Sequence, residues 1–136
     1  MLVLKAPRRL LLLRGDRVLR EYAIALGANP TGPKRRHGDG RTPEGRYRIE
    51  SRVEDSRFHR ALRVSYPNPD DLDFARRAEI APGGDVMIHG LPDGEGWIGD
   101  AHREYDWTNG CIAVTDDEMS EIWELVDDGT PIEIRP

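Results

Sequence analysis

The chain has one residue that can act as a strong nucleophile, its lone cysteine Cys111. A thiol attacks a carbonyl carbon well once a neighbour takes its proton or stabilises the thiolate. Four histidines could supply that neighbour: His37, His59, His89 and His102. His89 ends the apolar run Asp85-Val86-Met87-Ile88-His89 and is followed by Gly90. A base at the end of a buried strand stands on a rigid platform with open backbone beside it. The backbone of Gly90 or Leu91 could offer the carbonyl that decides which ring nitrogen faces the sulfur. Gly110 allows a tight turn before Cys111 and leaves no side chain above the sulfur. Backbone N–H groups there could hold the oxyanion of an acyl-transfer intermediate, and such donors are worth roughly 3–4 kcal/mol of barrier each. Taken singly, each residue also has a plainer reading. A free cysteine is commonly a small buried hydrophobe, a strand histidine a satisfied core residue, and a glycine a turn. His37 and His59 read as surface residues.

The elements that must position these groups are mostly strands. Leu2 to Leu4 and Leu10 to Leu13 are short apolar runs, and Gly15-Asp16 is a turn signal. Tyr22, Ile24 and Leu26 alternate with small residues, which is the period of a half-buried strand. These segments predict an antiparallel hairpin. Residues 27 to 45 hold five glycines and three prolines and cannot form a regular element. A loop of that length in a compact domain is often functional. Tyr47 and Ile49 restart a strand, and Leu62, Val64 and Tyr66 make another. Asp70 to Ala78 predicts a short helix after Pro67-Asn68-Pro69, and residues 91 to 110 read as a second glycine-rich loop. Cys111 to Val114 is a short strand. Thr115 and Glu118 form a capping box for a helix with Met119, Ile122, Trp123, Leu125 and Val126 on its apolar period. Gly129 closes that helix, and Ile132 and Ile134 alternate in a last strand.

Composition bounds the function. A chain of 136 residues fits a single domain spanning 1–136 and can bury a core without disulfides or metals. One cysteine excludes an internal disulfide. The net charge of −5 argues against a nucleic-acid partner, which calls for a basic stripe. Arg35, Arg36 and Arg41 do cluster, either as a solvated loop or as the lining of a site for an anionic ligand. No run approaches the ~18 apolar residues of a membrane span, and Leu10 to Leu13 is shorter than the ~7–15 residues of a signal-peptide core.

Ile88-His89-Gly90 followed by Thr108-Asn109-Gly110-Cys111-Ile112 resembles the YkuD-type L,D-transpeptidases. Their signature is a His, a variable loop, then Ser/Thr-His-Gly-Cys. Gly38 to Gly45 is similar to that family's Thr-Pro-Glu-Gly turn, and Asp128 to Ile134 to its closing Gly-Thr-Pro-Val-x-Ile strand. Four segments in the right order are far more specific than any one of them. The resemblance implies a mostly β, sandwich-like fold with one or two short helices. It makes Cys111 the nucleophile and His89 the proton acceptor and donor. Thr108 takes the Ser/Thr place and Gly110 the Gly place, with Gly90 following the base. Asn109 stands where the family has a second histidine, the loop from His89 to Cys111 is somewhat longer than usual, and Ala113 replaces a frequent arginine. His102 in the long loop could replace the absent histidine beside the sulfur, or could be an exposed loop residue. Trp97 and Trp107 could wall a substrate cleft or anchor the loop by burial.

The chemistry so implied is ping-pong acyl transfer on peptidoglycan stem peptides. Cys111 attacks the carbonyl of an L-centre, the terminal D-residue leaves with a proton from His89, and an amine opens the thioester to form an L,D cross-link. With water as acceptor the same chain would be an L,D-carboxypeptidase or endopeptidase. No metal or organic cofactor is required, a monomer is expected, and the family implies the cell envelope, on the periplasmic or wall side. Two other readings are a metal hydrolase on His89, His102 and Cys111, whose spacings match no zinc motif, and a non-catalytic wall-binding module.

Overall fold

The computed structural model describes residues 1–136. Eight strands form one curled sheet in the order β3-β2-β1-β8-β4-β5-β6-β7. They are β1 Leu2–Leu4, β2 Arg9–Arg14, β3 Arg17–Ala23, β4 Gly45–Val53, β5 Ala61–Val64, β6 Met87–His89, β7 Ile112–Ala113 and β8 Pro131–Arg135. The expected hairpin is β2–β3, turning at Gly15, whose φ of 59° suits a two-residue hairpin loop.

One long strand makes the sandwich. Gly45 to Arg48 of β4 pairs with β8, while Ile49 to Val53 pairs with β5 across a bulge between Ile49 and Ser51. A bulge bends a strand and increases its twist, so β4 serves both layers. The curl is closed at its far side by one antiparallel bridge, where Ala25 and Ala113 exchange backbone hydrogen bonds of 3.0 and 2.9 Å. The alternation of Tyr22, Ile24 and Leu26 thus continues beyond β3, but the chain changes partner from β2 to β7. Between the layers lies one apolar cluster, drawn from every strand except the exposed outer part of β3 and including Met119 and Ile122.

Helix α1, Pro69–Ala78, begins one residue earlier than expected, with Pro69 at its first position. Helix α2, Asp116–Leu125, carries the predicted capping box of Thr115 and Glu118. Two readings of α2 need correction. Leu125 is 52% exposed, because it falls outside the face that Met119, Ile122 and Val126 share at helical spacing. Gly129 does not close the helix, which ends at Leu125 with Val126 as its C-cap; it shapes the following turn, and its N–H donates to the Ile49 carbonyl. The 91–110 stretch is not wholly loop. It holds a 3₁₀ segment, Gly96–Glu104, broken at Gly99, so the short helices number three.

Buried polar groups organise the 27–45 loop. Lys5 Nζ donates to the carbonyls of Gly32 and Thr42 and to Glu44. Thr42 is fully buried, and its hydroxyl accepts from the Gly27 N–H. A segment without ladder partners must satisfy its backbone in this way.

Candidate active site

Cys111 lies immediately before β7 in a turn tied by Thr108. The buried Thr108 hydroxyl donates to the Cys111 carbonyl at 2.7 Å and accepts from the Gly110 N–H at 3.0 Å. Gly110 has φ 129°, and a Cβ there would stand 2.6 Å from the Arg41 carbonyl oxygen. A Cβ on Gly27 would meet the Gly40 oxygen at 2.1 Å and the Gly110 Cα at 2.9 Å. Three segments therefore cross with no side chain between them, and this crossing is what calls for glycine at 110. The Gly110 N–H is not free to hold an oxyanion, because Thr108 takes it. The Cys111 N–H, like that of Asn109, has no acceptor in the chain.

The thiol donates to the Asp85 carbonyl, 3.4 Å away. Burial pushes the thiol above its ordinary value, and the Met87 N–H works against that. Strands β6 and β7 are parallel neighbours, Ile88 opposite Ile112 and His89 opposite Ala113. His89 and Cys111 thereby come to one cleft of about 520 Å³, whose walls include Lys34, Phe58, Asp85 and Trp107. The His89 Nδ1 lies 2.7 Å from the Gly90 carbonyl. A carbonyl only accepts, so Nδ1 carries the proton and Nε2 is left as the basic nitrogen. Phe58 stacks on the imidazole at 3.9 Å and 18°, which fixes the ring plane. Burial lowers His89 to about 4, although the Gly90 carbonyl acts the other way.

Thr108, Asn109, Gly110 and Trp107 also line this cleft. Asn109 is exposed there. Gly90 is not open backbone. It is buried, and a Cβ would meet Asp116 at 2.7 Å and the His59 carbonyl at 2.9 Å. His102 is neither beside the sulfur nor exposed. It is 6% exposed and lines a separate cavity of about 330 Å³ behind Trp107. Its Nδ1 accepts from the Trp107 indole N–H at 3.1 Å, and its Nε2 has no partner. His102 therefore holds a cleft wall from behind. Trp97 is 83% exposed and belongs to neither cavity. His59 is half-buried, 2.8 Å from the Ser120 hydroxyl, while His37 is exposed on the cleft rim. His89, His102 and Cys111 do not form a three-ligand cluster. The backbone N–H groups of Arg35, Arg36 and Arg41 converge on the Asp39 carboxylate, and their side chains line a groove separate from the cleft.

Sequence reasoning missed Phe58, the Met87 N–H, the Asp85 carbonyl and Lys34. Phe58 lies outside any periodic segment, and backbone groups carry no residue-type signal. Only Lys34 left a trace, as a basic residue in a loop already suspected of function.

This fold is shared with solved L,D-transpeptidase structures. The chain aligns with an L,D-transpeptidase from Mycobacterium smegmatis at a TM-score of 0.64 and 18% identity, over 99% of this chain and 57% of that one. It aligns with the helical cell shape determining protein Pgp2 from Campylobacter jejuni at a TM-score of 0.74 and 24% identity, over 98% and 46% of the two chains. In sequence, it is 31% identical over 112 residues to YafK of Escherichia coli K12, to which L,D-transpeptidase activity is ascribed. That match covers 80% of this chain and 37% of YafK, so the chain spans well under half of this relative. Residues 1–134 match YkuD, the L,D-transpeptidase catalytic domain, and the chain belongs to that family. No helix is long and apolar enough to cross a membrane.

Proposed function

We propose that residues 1–136 form a single catalytic domain that transfers an acyl group from a peptidoglycan stem peptide through a thioester on Cys111, on the wall side of the cell envelope. The observation that carries this reading is the meeting of Cys111 and His89 in one cleft, with the His89 Nδ1 spent on the Gly90 carbonyl. The Nε2 lone pair is then the group that takes the thiol proton and returns it to the leaving amine.

The resting pair is neutral. Burial holds the imidazole near 4 and pushes the thiol above its ordinary value, and both shifts favour the neutral pair. The proton therefore moves as the C–S bond forms rather than before it. The Cys111 N–H, free of any acceptor in the chain, is the nearest backbone donor for the developing oxyanion. The leaving D-residue departs with the proton from His89, and an acceptor amine opens the thioester to give an L,D link. The residues present supply nucleophile, base and oxyanion donor without a cofactor.

The test is intact-protein mass spectrometry after incubation with a tetrapeptide muropeptide. The expected result is an adduct on Cys111 that is absent in Cys111→Ser. A folded protein that never gains the adduct would overturn the proposal. Repeating the reaction with and without an amine acceptor separates cross-link formation from hydrolysis of the same bond.

A further inference from the structure

The cleft contains a charged group that the proposed reaction does not use. Lys34 is 4% exposed and lines the same cleft as Cys111 and His89. Lysine is almost never buried unless paired. Its Nζ donates to the Arg36 carbonyl at 3.0 Å and to the Asp39 carboxylate at 2.9 Å. An ammonium carries three donors, so one has no oxygen acceptor in the protein; the Tyr66 ring lies 6.0 Å from Nζ on one side.

Asp39 does not spend its whole charge on Lys34. Its oxygens also accept from the N–H groups of Arg35, Arg36 and Arg41 at 2.8, 3.1 and 3.1 Å. Burial alone would raise Asp39, but these donors together hold it at about 2. Its main work is to fold the 34–41 loop and seat Lys34. The other charged or titratable residues of the cleft wall, apart from the Cys111–His89 pair, are His37 and Asp85. Asp85 is exposed and pairs with Arg63 outside. His37 is exposed on the cleft rim. Lys34 is thus the one lysine or arginine in the wall.

We propose that Lys34 is a specificity-determining residue that receives, on its unspent N–H, the free α-carboxylate of the residue that leaves when Cys111 is acylated. This rests on the reading of Cys111 as the acyl nucleophile. The carboxylate is two bonds from the leaving nitrogen. Any pose that sets the scissile carbonyl over the sulfur therefore brings it into the same cleft. An anion entering a confined site gives up water and needs a fixed cation. Lys34 has been desolvated and oriented by folding, so little further ordering is needed on binding. The consequence is a preference for peptide ends: a chain that continues past the leaving residue, or one that is amidated, brings no carboxylate to Lys34.

The test uses two synthetic tetrapeptides of one sequence, ending in a carboxylate or a carboxamide, with Cys111 acylation followed by intact mass. The wild type should favour the acid by about ten- to a hundredfold, the range of one hydrogen bond to a charged group. In Lys34→Met that ratio should fall to within about threefold of unity, and Lys34→Arg should keep part of it. The ratio within one variant does not depend on how much of it is folded. If Lys34→Met is too unstable to assay, Lys34→Met with Asp39→Asn removes both buried charges and should give the same ratio. Equal wild-type rates on both peptides, or a ratio unchanged by the substitution, would overturn the role of Lys34 and leave Cys111 acylation standing. Acylation by neither peptide would overturn the acyl-transfer reading and this inference with it.

Discussion

The hydroxyl of Thr108 lies 2.7 Å from the carbonyl of Cys111, and the same oxygen accepts the Gly110 N–H at 3.0 Å. Two backbone groups around Cys111 are thus fixed by one buried atom. Thr108→Val keeps the shape and removes both bonds. We expect a loss of about 1–3 kcal/mol in stability, the cost of buried groups left unpaired. Acylation of Cys111 should slow by about tenfold or more, because the sulfur is no longer held in register. Thr108→Ser should behave almost as the wild type. Chemical denaturation and adduct-formation rates check both, and a Val variant equal to the wild type would refute the assignment.

The pH dependence follows from His89. Burial first, opposed by the Gly90 carbonyl, puts its folded value at about 4 against an ordinary 6.5. Between those values the unfolded chain binds a proton that the folded chain refuses. Stability should therefore fall as pH drops from about 6.5 to about 4, by about 3 kcal/mol from this group. Unfolding curves of the wild type and His89→Phe across that window give the difference. The acid limb of acylation should lie near 4 rather than near 6.5, since only the neutral imidazole accepts the thiol proton.

Two glycines with different surroundings should respond differently to alanine. At Gly27 the added Cβ meets the backbone of Gly40 and Gly110 at 2.1 and 2.9 Å, and neither can swing aside. Gly27→Ala should cost about 1–3 kcal/mol or more by overpacking and should slow Cys111 acylation. Gly15 has only its φ of 59° to defend, with nothing within 4 Å. Gly15→Ala should cost about 1 kcal/mol and leave acylation unchanged. Thermal denaturation with adduct rates separates the two cases.

His102 accepts the Trp107 indole N–H, and Trp107 is a wall of the cleft. His102→Leu leaves that N–H without an acceptor and should cost about 1–3 kcal/mol. It should also weaken peptide binding more than it slows the step at the sulfur. His102→Gln offers an amide oxygen and should be milder on both counts. Separate KM and kcat values for the two variants are the check; a variant that lost kcat alone would point instead to direct chemistry at His102.

Much of the architecture was legible along the chain, because alternation and caps act over a few residues. The Thr115–Glu118 box begins α2 as read, and the runs around Leu10, Tyr47, Leu62, Ile88 and Ile132 are strands. The errors fell where local pattern and long-range contact part. Gly90 read as open backbone and is wedged between His59 and Asp116. Leu125 read as apolar face and points to water. His102 read as either a neighbour of the sulfur or an exposed loop residue, and is buried behind Trp107.

By itself the sequence determined the residue types available for chemistry, one thiol and a few imidazoles, and the order of the short strands that carry them. It also held the ordered motifs by which the family is known. Only the tertiary structure decided which N–H groups near Cys111 remain unspent, which nitrogen of His89 is basic, and that Lys34 and Phe58 share the cleft. Those facts depend on where loops 27–45 and 91–110 come to rest. Loops without a ladder are held by a few side-chain to backbone bonds between distant residues, such as Lys5 to Thr42 and Thr108 to Cys111. No local periodicity records such bonds.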